Sequence, residues 1–81
     1  MSALAVEVHT LAQNVEFTVD DMIVSLVDGR KVIVPLVWFP RLSGASRTQL
    51  ENFELFGDGE GIHWPELDED LSVAGLLRGD R

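Results

Sequence analysis

The chain reads as an α+β domain: a small antiparallel β-sheet of about four to five strands, running as a β-meander, with two short helices. Three observations carry this. Apolar residues alternate with polar ones in short runs through the first half. Asp28-Gly29 stands between two such runs, the strongest local hairpin signal in the chain. Two serines, Ser46 and Ser72, precede apolar stretches as helix caps do.

Taken in order, Leu4, Val6 and Val8 alternate with Ala5, Glu7 and His9, the period of a half-buried strand. Residues 10–14 read as a polar break. Val15, Phe17 and Val19 form a second strand, and Asp20-Asp21 reads as a two-residue turn, because Asp tolerates left-handed backbone angles. Met22 to Val27 is a third strand and Arg30 to Leu36 its return around Asp28-Gly29. With a two-residue loop at each reversal, Phe17 faces Val24, Val15 faces Leu26, and Val24 faces Ile33. The core face then holds Val15, Phe17, Val19, Met22, Val24, Leu26 and Ile33, so Ile33→Asp is expected to unfold the domain. The opposite face carries Ile23, Val27, Val32 and Val34, a remainder too apolar for water and a candidate self-association surface, as in a homodimer.

Pro40 rules out a helix through Val37–Arg41, so Val37-Trp38-Phe39-Pro40 is read as extended. Ser46 and Gln49 make a capping box opening a helix over about 47–53. Residues 53–56 are read as a short extended piece, and Gly57, Gly59 and Gly61 as a turn-rich loop that needs no ligand to explain it. Ile62 and Trp64 point to one side and His63 to the other, in a last strand stopped by Pro65. Ser72 caps a final helix, Val73–Arg78, ended by Gly79.

At 81 residues the chain is expected to form a single domain over its whole length. Fourteen acidic residues against six basic ones give a net charge of −8. Nucleic-acid backbones and anionic membranes repel such a surface, so neither is expected as a partner. No apolar run spans a bilayer and no signal peptide is read. The absence of cysteine excludes disulfides and thiolate chemistry and fits a cytoplasmic location.

Six acids (Asp58, Glu60, Glu66, Asp68, Glu69, Asp70) fall between Gly57 and Asp70 with no Lys or Arg among them. This stretch fails as a calcium loop, because Ile62 and His63 occupy the positions that need an oxygen ligand and a glycine. It fails as a phosphate cradle, since acids fill it and no Lys follows. His9 and His63 are too few and too separate for a catalytic zinc set. Nothing supports glycosidase or serine-hydrolase chemistry in so small a chain. No catalytic residue, metal ligand or cofactor is therefore assigned, and the chain is expected not to be an enzyme. The candidate partner-binding residues are Trp38, Phe39 and Arg41, residue types favoured at interfaces, with Asp58, Glu60, Asp68, Glu69 and Asp70 as complement to a basic protein. The competing readings are that Trp38 or Phe39 packs a sheet face, and that the acids only keep a small protein soluble. A ligand or metal site at His63 and its neighbouring acids is the remaining alternative.

Val24-Ser25-Leu26-Val27-Asp28-Gly29-Arg30, Val37-Trp38-Phe39-Pro40-Arg41-Leu42 and Gly61-Ile62-His63-Trp64-Pro65, followed by Leu67-Asp68-Glu69-Asp70-Leu71-Ser72, resemble the Domain of Unknown Function 2442 family in this order. Ala74-Gly75 stands where relatives are expected to carry Glu-Gly. The resemblance implies a small bacterial α+β domain with no defined activity. It also implies relatives that continue into a helix-turn-helix, which is not expected here, and genes lying beside another small protein, similar to a toxin–antitoxin pair. Together with the acidic run, this points to a non-catalytic protein-interaction domain, antitoxin-like in role.

Overall fold

The computed structural model describes residues 10–80. The strand expected over Leu4–Val8 lies outside them. Six strands and three short helices follow one another: β1 (Ala12–Phe17), β2 (Asp21–Leu26), β3 (Lys31–Pro35), α1 (Pro40–Ser43), α2 (Arg47–Glu51), β4 (Glu54–Phe56), β5 (Gly61–Trp64), β6 (Glu69–Ser72) and α3 (Val73–Arg78). The α+β class and the antiparallel pairing agree with the sequence. The strands form two three-stranded sheets, β1-β2-β3 and β4-β5-β6, rather than one meander of four or five.

β1 begins inside the expected polar break, with Ala12 buried beside Leu26 across a bulge between Ala12 and Asn14. The first reversal turns at Val19-Asp20 rather than Asp20-Asp21. The amide of Thr18 donates to the carbonyl of Asp21 at 2.9 Å, and the amide of Asp21 donates to the Thr18 hydroxyl at 3.0 Å. The pairs are therefore Phe17–Met22 and Val15–Val24, two positions away from those expected. Side chains alternate with period two, so this slip leaves Val15, Met22, Val24 and Leu26 on the core face. Val19, in the turn itself, is 87% exposed.

The second reversal is longer by one residue, with larger consequences. Leu26 donates to the carbonyl of Arg30 at 2.8 Å, enclosing Val27-Asp28-Gly29. Gly29 sits at φ 98 and donates to Leu26. This is a turn closed by a left-handed glycine, the common three-residue hairpin loop. The Asp28 carboxylate accepts from the Arg30 amide at 3.0 Å and from its Nε at 2.8 Å, holding the longer path in place. Ile23 now pairs with Ile33 and Met22 with Val34. The face of β3 is inverted: Val34 is buried, Val32 packs against the core, and Ile33 is 60% exposed. The placing of Ile33 in the core is thereby corrected. So is the grouping of Ile23, Val27, Val32 and Val34 on one outer face, since Val32 and Val34 lie inward while Val27 is exposed in the loop.

Residues 37–40 are not one extended segment, and only Phe39 among them keeps extended angles. Leu36–Trp38 makes one tight 3₁₀ turn, Phe39 breaks it at φ −126, and α1 starts at Pro40. Proline blocks a helix passing through it but is well suited to the first helical position. α2 has the full reciprocal capping box between Ser46 and Gln49 and ends at Glu51. Arg47 reaches from it to the Phe17 carbonyl at 2.8 Å, tying α2 to the end of β1. β4 and β5 form a hairpin around the Gly57–Gly59 turn. Gly59 presses directly on β1: a Cβ there would meet the Ala12 carbonyl, with the Ala12 nitrogen only 2.9 Å away. The chain after Trp64 does not run straight to the last helix. It turns through residues 65–68 and returns as β6, a strand not anticipated from the acid-rich sequence. Ser72 then caps α3 by accepting from the Gly75 amide, and Gly79 ends it at φ 84.

The core joins both sheets. Met22, Val24 and Leu26 from β2, Leu42 from α1, Ile62 and Trp64 from β5 and Val73 from α3 are fully buried. Burial of side chains of this size contributes roughly 1.5–3 kcal/mol each. Among the described residues no helix is long and apolar enough to cross a membrane.

Candidate functional site

The acid-rich segment folds into the second sheet, and strand geometry decides where each side chain goes. Ile62 and Trp64 face the core. Gly61 and His63 face outward, and with their neighbours make two rows across the sheet: Glu54–His63–Asp70 and Phe56–Gly61–Ser72. The amide of Val73 donates to the carbonyl of Glu60, so Glu60–Val73, Ile62–Leu71 and Trp64–Glu69 are the hydrogen-bonded pairs of this ladder. His63–Asp70 is then a non-hydrogen-bonded pair, the type in which side chains approach closest. Their side chains do touch, Nδ1 of His63 against Oδ1 of Asp70. The Phe56 ring lies over Gly61, occupying the space a side chain would fill.

The six acids do not form one patch. Asp58 and Glu60 lie at the β4–β5 turn, Asp58 itself in a left-handed conformation at φ 60. Glu66 and Asp68 lie in the turn at the other end of β5, four strand residues away, roughly 13 Å. Glu66 accepts from Asn52 at 3.0 Å. Asp70 sits between these ends on the outer face, and Glu69 is half-buried beside Trp64. The acids thus surround the second sheet.

The aromatic candidates are drawn inward. Phe39 is buried in the core, and Trp38, half-buried, meets it edge-to-face at 6.5 Å between ring centroids. Packing is therefore the role of Phe39. Arg41 donates to the carbonyls of Leu67 and Asp68 and lies 3.8 Å from the Asp68 carboxylate. It clips α1 onto the turn before β6. Trp38 packs against the core but keeps part of its surface exposed.

β6 was not legible as part of any site, yet it organises this surface. It is the edge of its sheet. A groove of about 290 Å³ runs between β6, Phe39 and α3, and one of about 380 Å³ lies over Phe56, Gly61 and the outer side of Asp70 and Ser72. The signal for the strand was the alternation of Glu69 and Leu71 with Asp70 and Ser72, masked by the charge run. Among the described residues, no three His, Asp or Glu side chains converge as a metal site would require.

A model of the family described as Protein of unknown function (DUF2442) matches residues 12–81. Two solved structures share the fold. One is the crystal structure of a protein of unknown function from Rhodospirillum rubrum, 36% identical over 88% of each chain, with a TM-score of 0.77. The other is the solution structure of an uncharacterized protein from Chromobacterium violaceum, 26% identical over 88% of this chain and 67% of that one, with a TM-score of 0.75. No curated protein matches.

Proposed function

This chain belongs to the family of proteins of unknown function DUF2442, and on that premise we propose that it is a non-catalytic protein-interaction domain whose acidic second sheet binds a basic protein, in the manner of an antitoxin beside its small partner. The observation that supports this reading is the distribution of exposed acids around one sheet. Asp58 and Glu60 lie at one end, Glu66 and Asp68 at the other, and Asp70 between them. A net charge of −8 on 81 residues adds a long-range field that speeds encounter with a cation-rich surface.

The test is capture from the native host with the whole chain as bait, at low and high ionic strength. The reading expects a basic protein that is lost at high salt and lost from the folded double variant Glu60→Lys/Asp70→Lys. Recovery of no protein, or equal recovery by that variant, overturns it. The contact of His63 with Asp70 favours a second reading, a small-ligand or metal site on the outer face. A thermal shift with metals or metabolites that disappears in His63→Ala would support that one instead.

A further inference from the structure

The exposed edge of β6 gives the proposed interaction a definite form. Among the described residues no strand pairs with β6 on the side away from β5. Glu69 and Leu71 direct their main-chain groups at β5, and the amide of Val73 donates to Glu60 just before it. The amide and carbonyl of Asp70 and the amide of Ser72 therefore point outward, as an unfilled template for another strand. One edge of the other sheet, β3, carries Lys31 and Pro35, residues that discourage added strands. β6 has neither. Arg41 occupies the carbonyls of Leu67 and Asp68 just before it, so the open stretch begins at Asp70.

The two grooves flank this edge, one on each face. A strand laid along β6 would send alternate side chains into them. The inner groove is floored by Phe39, Leu71 and Leu76 and suits apolar side chains. The outer one presents Asp70, Glu60 and the Phe56 ring and suits a cation. Arg78, the one basic residue lining either groove among the described residues, is held by Asp80 at 2.9 Å. A second copy of β6 fits poorly, because the segment Glu69–Ser72 holds two acids and no Lys or Arg to meet Asp70 and Glu60.

We propose that the β6 edge accepts an extended peptide segment of alternating apolar and Lys or Arg residues, supplied by a protein partner, as a fourth strand of the second sheet. This rests on the reading of the domain as an acidic interaction module and specifies its mode.

The probe is a labelled hexapeptide alternating Val and Lys, compared with two versions N-methylated on alternate residues and one with Glu in place of Lys. Anisotropy should show binding of the first, weakening by about tenfold or more in the N-methylated version that loses the donors facing β6, and no binding of the Glu peptide. Amide hydrogen exchange at Asp70 and Ser72 should slow in the complex. Absence of binding, equal binding by both N-methylated peptides, or unchanged exchange at those two amides overturns the strand. If a host partner is captured by the whole chain while the Asp70 and Ser72 amides stay unprotected, the strand fails and the acidic interaction reading stands. If no partner is captured, that reading fails as well.

Discussion

The indole N–H of Trp64 donates to the carbonyl of Leu50 at 2.9 Å, fourteen positions earlier in the chain. The bond is buried, and it fastens β5 to the last turn of α2, whose carbonyls have no partner within the helix. Trp64→Phe keeps a ring but orphans that carbonyl and leaves a void. The expected loss is about 2–4 kcal/mol, read as a lower urea midpoint with an unchanged slope.

Ile33 and Val34 are neighbours with opposite fates. Val34→Asp buries an unpaired charge and should abolish cooperative unfolding. Ile33→Asp places its charge in water and should shift stability by about 0.5 kcal/mol or less. Thermal melts of the two variants side by side check the inverted face of β3. A normal melt for Val34→Asp would restore the two-residue loop.

Two left-handed glycines separate strain from collision. At Gly29, φ 98, a Cβ meets open space, so Gly29→Ala should lose only about 1 kcal/mol. At Gly59, φ 105, the same methyl strikes the Ala12 backbone. Gly59→Ala should lose about 3 kcal/mol or more, or fail to fold. Denaturant titrations give both values.

Ser46→Ala and Ser72→Ala each remove an oxygen that accepts a helix amide. Each should lose about 1 kcal/mol, and the double variant about the sum, since the caps belong to separate helices. Ser→Thr at either site should recover most of it.

The Arg30 amide, aided by its guanidinium, holds the Asp28 carboxyl below its ordinary 3.8. A depressed carboxyl stabilises the fold above its unfolded value and loses that contribution as pH falls through the folded value. Asp28→Asn should therefore melt lower than the parent at neutral pH, and the difference should shrink on acidification below pH 3.8. A constant difference across that range would mean the loop is held by the backbone alone.

Where local chemistry has one solution, the fold was readable in advance. Ser46 with Gln49, and Ser72 with Gly79, marked two helices correctly, and Ile62 and Trp64 alternated into the core as expected. Asp28-Gly29 marked a hairpin but not its loop length. Glycine accepts positive φ in both the two- and three-residue forms, and the grip of Asp28 on Arg30 is invisible to periodicity. Pro40 does exclude a helix running through 37–41, but that exclusion does not reveal that a new helix starts at the proline itself. β6 escaped because an edge strand needs little apolar surface, and Glu69-Asp70 resembled a solvated loop. The candidate site was half legible. The acids were visible as a run, but which of them share a face follows only from the β5–β6 pairing.

The contact of Gly59 with Ala12 joins the two sheets main chain to main chain, without side chains as intermediaries. The spacing of the two layers at that point is therefore set by backbone against backbone, and any side chain at position 59 would push them apart. The hinge of the architecture is a residue with nothing to mutate away except its own smallness.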